Sequence, residues 1–309
     1  MPDLKLDCLD KTVLKALDFF TANPPKSLNL SRFKFPLVIG SVNSYNTAKL
    51  IFTDQAAFFA NESNLKKIIR NEVPLIMEKK MASEIIVISA SGEKDSVWEL
   101  KLAKKYGLKT ILFTCSPQST AAKIADEVFV FHKLPEPYTY NVSTYLGMIL
   151  SVFGENPSLI KKSLVRLSAA LPKNFQNYHS YAFIIPDEHA ALSLMIRTKQ
   201  DELFGPKVSI RAFSYSEARH AKFVIRDPKE LIISFEKNEY FGNPKSRWEI
   251  KLPGHAGAGL LMCLSYYLIG LIQADRPAYF KKHIANYCLD YGYKAYGRDK
   301  PFEVIVPGN

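Results

Sequence analysis

"ISASGEKDS", residues 88–96, follows the run Glu84-Ile85-Ile86-Val87 and leads into Val97-Trp98-Glu99-Leu100-Lys101-Leu102-Ala103, which has a helical pattern. A strand that feeds a helix through three hydroxyls, a glycine and a lysine aims unpaired backbone N–H groups at one point. The positive end of the helix dipole converges there too, and the combination suits an anion. The stretch predicts a β-to-α corner whose first candidate ligand is phosphate.

Outward from this corner the same grammar repeats. β-branched runs at 36–39, 84–89, 109–114 and 127–131 alternate with helix-like segments, and after the turn-rich Gly154-Glu155-Asn156-Pro157 the pattern restarts at 181–185, 208–213, 231–235 and 248–252. Such alternation is the mark of βαβ units and parallel sheets. The chain therefore reads as α/β, with an N-terminal helix and first domain over 1–155 and a linker, second domain and C-terminal extension over 156–309. Ligands of open parallel sheets bind beyond the carboxyl ends of the strands. That directs attention to Gly40-Ser41-Val42-Asn43-Ser44-Tyr45-Asn46, to 88–96, and to the segment from Leu134 to Thr144.

Composition narrows the classes. The 309 residues are 47% hydrophobic and 23% charged with no low-complexity stretch, a soluble globular profile. The formal charge of +11 comes from lysines scattered along the chain rather than blocked into an arm, which fits small anionic ligands or a merely soluble basic protein better than nucleic acid. Cys8, Cys115, Cys263 and Cys288 have neither metal-ligand nor redox spacing, and MPDLKLD has no apolar signal region, which argues for reduced thiols and a cytoplasmic address. The uncharged run 256–273 carries three glycines, a serine and two tyrosines and reads as a buried helix rather than a membrane span.

Four blocks, "GSVNSYNTA" (40–48), "ISASGEKDS" (88–96), "ILFTCSPQSTAAKIADEVF" (111–129) and "YNVSTYLGMIL" (140–150), resemble the sugar isomerase (SIS) domain family in order and spacing. The resemblance implies flavodoxin-like parallel sheets and a phosphorylated-sugar ligand. It implies that Ser44, Ser89, Ser91 and Ser96 hold the phosphate, with Ser143 near the sugar. Lys94 stands where such loops usually have a threonine; it adds charge to the phosphate site or points to solvent. Ordinary helix capping is the alternative role for the serines.

The second half is similar to the second SIS domain of tandem proteins such as the isomerase part of glucosamine-6-phosphate synthase and the amino-sugar-phosphate isomerase/deaminases. The stretches that carry this are "DELFGPKVSIRAFSYSEARHAKFV" (201–224) and "LSYYLIGLIQADRPAYFKK" (264–282). The resemblance implies Glu202, His220 and Lys282 as the catalytic trio. His220 is followed by Ala221-Lys222 where the family has Gly-Pro, and Pro186-Asp187-Glu188-His189 replaces a glycine-rich turn. Glu217 either orients His220 or caps a turn, and His189 reads as loop surface.

Aldose–ketose isomerisation moves a proton between C1 and C2 through an enediolate. A carboxylate such as Glu202 can shuttle that proton, an imidazole such as His220 can exchange a proton with the ring oxygen, and Lys282 can stabilise developing negative charge. No metal or cofactor is required. The resemblance implies a homodimer with the site near the subunit interface, while the scattered charge and the buried-helix reading of 256–273 point to neither nucleic-acid nor membrane partners; the amphipathic 9–20 stretch and the apolar helix near the C-terminus supply either contact surface or ordinary core. Three functions stay open: a sugar-phosphate isomerase or isomerase/deaminase, a non-catalytic sugar-phosphate-binding regulator, and a bifunctional phosphoglucose/phosphomannose isomerase.

Overall fold

The computed structural model describes residues 5–71, 84–254 and 256–309; residues 1–4, which open the segment read for a signal region, lie outside the described residues. By Cα packing the chain divides into two compact units. One comprises Pro25–Leu134, Ser143–Gly154 and Pro307–Asn309, the other Met1–Pro24, Pro135–Val142 and Glu155–Val306.

The first unit is built on β1 (Leu37–Ile39), β2 (Phe58–Ala60), β3 (Glu84–Ile88), β4 (Lys109–Thr114) and β5 (Glu127–Val130). All neighbours are parallel, in the order β2-β1-β3-β4-β5. Ile85, Ile86 and Val87 are all fully buried, as a central parallel strand covered on both faces requires. Leu37, Ile39, Ile85, Val87 and Leu112 pack with Leu65 and Ile69 of the helix Leu65–Asn71 and with Leu100 and Ala103 of the helix Asp95–Lys105. The pleat sends Val38, Ile86, Ile111 and Phe113, all buried, to the other face. The chain leaves β1 toward β2 on one side and returns to β3 on the other, so the topological switch point lies between β1 and β3.

The second unit carries β7 (Ser180–Ile185), β8 (Ser209–Ser214), β9 (Glu230–Ser234) and β10 (Arg247–Glu249), parallel in the order β10-β9-β7-β8. The parallel α/β architecture expected from the sequence is thus observed. The expected strand set lacked β2 and the antiparallel pair β6 (Glu136–Pro137) and β11 (Ile305–Val306); β2 and β6 contain no β-branched residue of the kind that marks the other strands, and β11 is only two residues long.

Ala258–Asp275 is the one helix among the described residues long and apolar enough to cross a membrane, and 83% of that window is buried inside the protein. Its Gly270 allows direct backbone contact with the helix Leu9–Ala22: a Cβ there would lie 1.8 Å from the Asp10 amide nitrogen. The Leu9 N–H donates to Gln273 Oε1 at 2.8 Å across the same contact. Glu155 closes the start of the long helix, accepting from the N–H groups of Gly257, Gly259 and Leu260 at 3.2, 2.6 and 3.0 Å. All four cysteines are free thiols.

Candidate functional site

Two strand-to-helix corners flank the switch point of the first sheet. β1 and β3 pair Ile39 with Val87, so Ser41 and Ser89 follow two residues later on adjacent strands at the carboxyl edge. Beyond β1 the chain turns through Gly40-Ser41-Val42 into the helix Asn43–Ile51. Gly40 admits no side chain, since a Cβ would lie 2.6 Å from Tyr45 N and 2.9 Å from Ser44 Oγ. Ser44 Oγ accepts from the Ser41 N–H at 2.7 Å and donates to the Ser41 carbonyl at 2.8 Å, locking the turn. Val42, the last residue before the helix, has φ 49° and ψ −109°.

The second corner repeats this geometry. Lys94, directly before the helix Asp95–Lys105, has φ 59° and ψ −124°. Neither residue is a glycine, and a β-branched or long side chain at positive φ is strained by clashes with its own backbone. Ser89 Oγ accepts from the Gly92 N–H at 3.2 Å and Ser91 Oγ from the Glu93 N–H at 3.4 Å. Glu93 ties the loop sideways, its carboxylate accepting from the Thr120 N–H and hydroxyl at 2.8 and 3.0 Å. Gly92, with φ 60°, has no room for a side chain because a Cβ would meet Ser119 Oγ at 2.0 Å.

The expected phosphate ligands therefore occupy different settings. Ser91 is exposed, Ser89 and Lys94 are half-buried, and Ser44 is buried within its turn. Ser96 is buried and donates to the Glu93 carbonyl at 2.9 Å, while Ser143 is buried and accepts from the Leu134 N–H at 3.1 Å. One buried acid lies further along the second corner's helix. Glu99 is 2% exposed with Oε1 unpartnered, and burial, aided by Asp95 and Glu62, pushes its carboxyl up to about 8.

In the second unit Glu202 ends the helix Ala191–Leu203. Its Oε2 accepts from Lys199 Nζ at 2.5 Å, and the Lys199 side chain is fully buried. That ammonium also donates to the Thr139 carbonyl and lies 5.4 Å from the centre of the Tyr266 ring. Burial pushes the Glu202 carboxyl up while Lys199 pulls it back. Thr139 and Asn141 both take positive φ, at 73° and 50°. Lys199 was not among the expected site residues; its signal was a Lys-x-x-Glu pair at helical spacing, a pattern that usually lies in solvent.

His220 and Lys282 stand elsewhere. His220 follows the short helix Tyr215–Ala218 and is exposed, as is Lys282 on the helix Tyr279–Asn286. Glu217 caps the short helix, accepting from the Ser214 N–H at 3.0 Å while Ser214 Oγ accepts from the Glu217 N–H at 3.2 Å. His189 lies half-buried in the turn Asp187–His189 after β7. Past Lys282 the chain carries Phe302, which stacks on Tyr138 at 5.2 Å, and then β11 on β6. Among the described residues, no group of three or more His, Cys, Asp or Glu side chains is placed to hold a metal ion.

No family model matches the sequence, and no curated protein matches it. Solved structures do share the fold. The C-terminal domain of glucosamine-fructose-6-phosphate aminotransferase from Francisella tularensis is similar with TM-score 0.57 at 13% identity, over 86% of this chain and 93% of that one. Glucosamine-6-phosphate deaminase from Thermotoga maritima is similar with TM-score 0.54 at 15% identity, over 86% and 91%. Tagatose-6-phosphate ketose/aldose isomerase from Escherichia coli gives TM-score 0.54 at 12% identity, over 86% and 90%. At these identities the likeness is one of fold.

Proposed function

We propose that the chain binds a phosphorylated sugar or amino sugar at the β1/β3 corner and interconverts its aldose and ketose forms through an enediolate. The observation that carries this reading is the pairing of two strained, serine-bearing corners on adjacent strands at the switch point. Strain of this kind gathers at ligand clamps, and loops that turn into helices at the carboxyl edge of a parallel sheet direct N–H groups at an anion. Ser44, Ser89, Ser91, Ser96 and Lys94 form the phosphate-binding set, with Ser143 beside the sugar.

In this reading Glu202 is the proton shuttle. Its carboxyl, pushed up by burial and pulled back by the Lys199 ammonium, suits a group that must take and return a proton. His220 opens the ring and Lys282 stabilises charge on the sugar oxygen. The fold neighbours, among them a deaminase and a ketose/aldose isomerase acting on sugar phosphates, support the substrate class. The working form is a cytoplasmic homodimer with the site near the subunit interface, which light scattering checks.

Incubation with glucose, mannose or glucosamine 6-phosphate in heavy water is expected to place deuterium at C2 of one of them, and Glu202→Gln to stop it. Binding of a sugar phosphate with no exchange from any of the three would contradict turnover. That outcome favours a second reading, a sugar-phosphate-binding regulator. It has its own support: the side chains of His220 and Lys282 have no hydrogen-bond or ion-pair partner among the described residues, and both are exposed.

A further inference from the structure

The helix Asn43–Ile51 carries an anomaly on its core-facing side. Asn43, Asn46 and Thr47 sit at i, i+3 and i+4, one face of the helix, and are 4%, 4% and 0% exposed. Leu50 continues the same stripe at 1% exposure. The oxygens Asn43 Oδ1, Asn46 Oδ1 and Thr47 Oγ1 are all buried without a hydrogen-bond partner. Buried polar atoms are nearly always paired, so three partnerless oxygens on one turn of one helix require an explanation.

The same residue types elsewhere in this chain satisfy themselves locally. Thr21 and Thr198 donate to the carbonyls of Leu17 and Leu194, four residues back, as hydroxyls inside helices commonly do. Thr47 makes no such bond to Asn43. Asn29, Asn156 and Asn243 turn their side-chain oxygens onto backbone N–H groups at helix starts, at 2.9, 2.9 and 3.0 Å. Asn43 stands one position further in, as the first residue of its helix after Val42, and makes no such bond. The helix thus leaves acceptors unused, Thr47 where back-bonding was available.

We propose that this stripe is a polyol-binding strip, in which Asn43 Oδ1, Asn46 Oδ1 and Thr47 Oγ1 take hydrogen bonds from hydroxyl groups of the ligand whose phosphate sits at the adjoining corner. The proposal rests on the phosphate reading above and adds the part of the ligand that the corner does not hold. Two amide carbonyls call for donors, and the hydroxyl, able both to accept and to donate, suits a partner that can do both, as the hydroxyl groups of a polyol can. Asn43 adjoins the corner residues Val42 and Ser44, and the strip extends about 6 Å from it along the helix, the span of a short carbon chain bearing hydroxyls. Because the oxygens are sealed from solvent, entry needs a small outward movement of the helix's first turn. The joint for that movement is Val42, the strained residue immediately before it.

Calorimetric titration of the full chain tests this, with inorganic phosphate and sorbitol 6-phosphate as the two probes. The unmodified protein is expected to bind the hexitol phosphate at least about tenfold more tightly than phosphate, the worth of one to two net hydrogen bonds. Thr47→Val, which keeps the side-chain shape, and the double variant Asn46→Leu/Thr47→Val are expected to remove most of that preference and leave the phosphate affinity unchanged. Melting curves establish that each variant is folded, with Thr47→Val as the milder change. A preference that survives in the folded variants overturns the strip, as does equal affinity of the unmodified protein for both probes. If the unmodified protein binds neither probe, the corner reading falls and the strip with it.

Discussion

The two sheets share a topology and differ in the charge at their switch points. Between β1 and β3 stand hydroxyls, glycines, backbone amides and Lys94. Between β7 and β9 stand Asp187 and Glu188 on one loop and Glu236 on the other, close enough that burial and its two acidic neighbours push the Glu236 carboxyl up. Asp187 already fills the place of an anion there, accepting from the Ser216 N–H at 2.7 Å and from its hydroxyl at 2.5 Å. In the proposed function the first corner takes an external anion, whereas its counterpart is satisfied from within. What the second unit offers instead is at the opposite edge of its sheet, where the helix Ala191–Leu203 brings down Glu202 and Lys199.

The contrast breaks most readily at Gly92. Gly92→Val drives a Cβ into Ser119 at a positive-φ position, and we expect a loss of about 3 kcal/mol or more together with loss of phosphate binding. Asp187→Ala, at the other switch point, is expected to leave phosphate affinity unchanged; calorimetry and thermal melts on both variants read the difference. Next in size is Lys199→Met. Removing the buried ammonium strands the Glu202 carboxylate, at an expected cost of about 3–5 kcal/mol where the carboxyl is ionised. Because burial pushes that carboxyl up, the cost should shrink as pH falls and the group takes up a proton, and urea unfolding across a pH series measures it.

Glu99 gives a pH signature to the first unit. Its folded-state value of about 8 lies above the ordinary 4.5, so between these values the native state holds a proton that the unfolded chain has released. Stability contributed at this site is intact below about pH 4.5 and is lost progressively as pH rises to about 8, at roughly 1.4 kcal/mol per unit. Unfolding of Glu99→Gln should lack this component, and identical pH profiles for the two proteins would refute it. The smallest effect is at the strained joint. Val42→Gly relieves about 1–3 kcal/mol of backbone strain and loses about 0.5–1 kcal/mol to glycine's freedom in the unfolded chain, for a net gain of about 1 kcal/mol in a thermal melt.

Much of this arrangement was legible in the residues. The quoted stretch at 88–96 announced a strand, a loop and a helix, and eight of the strands follow from runs such as Ile85-Ile86-Val87 and Phe183-Ile184-Ile185. The strain at Val42 and Lys94 was not legible, because a positive φ is signalled by glycine and neither is one. Nor does a hydroxyl at or beside a corner disclose its direction: Ser96 and Ser143, each in the first turn of a helix, bond to main chain, as Ser91 does more loosely from an exposed position. Lys199 was hidden for a different reason. Lys-x-x-Glu on a helix reads as a solvated pair, and only the tertiary fold, with Thr139 and Tyr266 around it, takes the lysine wholly out of water.

The claim on which the rest depends is that the β1/β3 corner grips a phosphate ester through its amides and hydroxyls. Amide NMR during titration with glucosamine 6-phosphate tests it residue by residue. Saturable shifts are expected at Ser41 to Ser44 and Ser89 to Lys94, with Asp187, Glu188 and Ser214 to Glu217 unmoved. Saturable shifts confined to the second switch point, or none at the first at millimolar ligand, would contradict it.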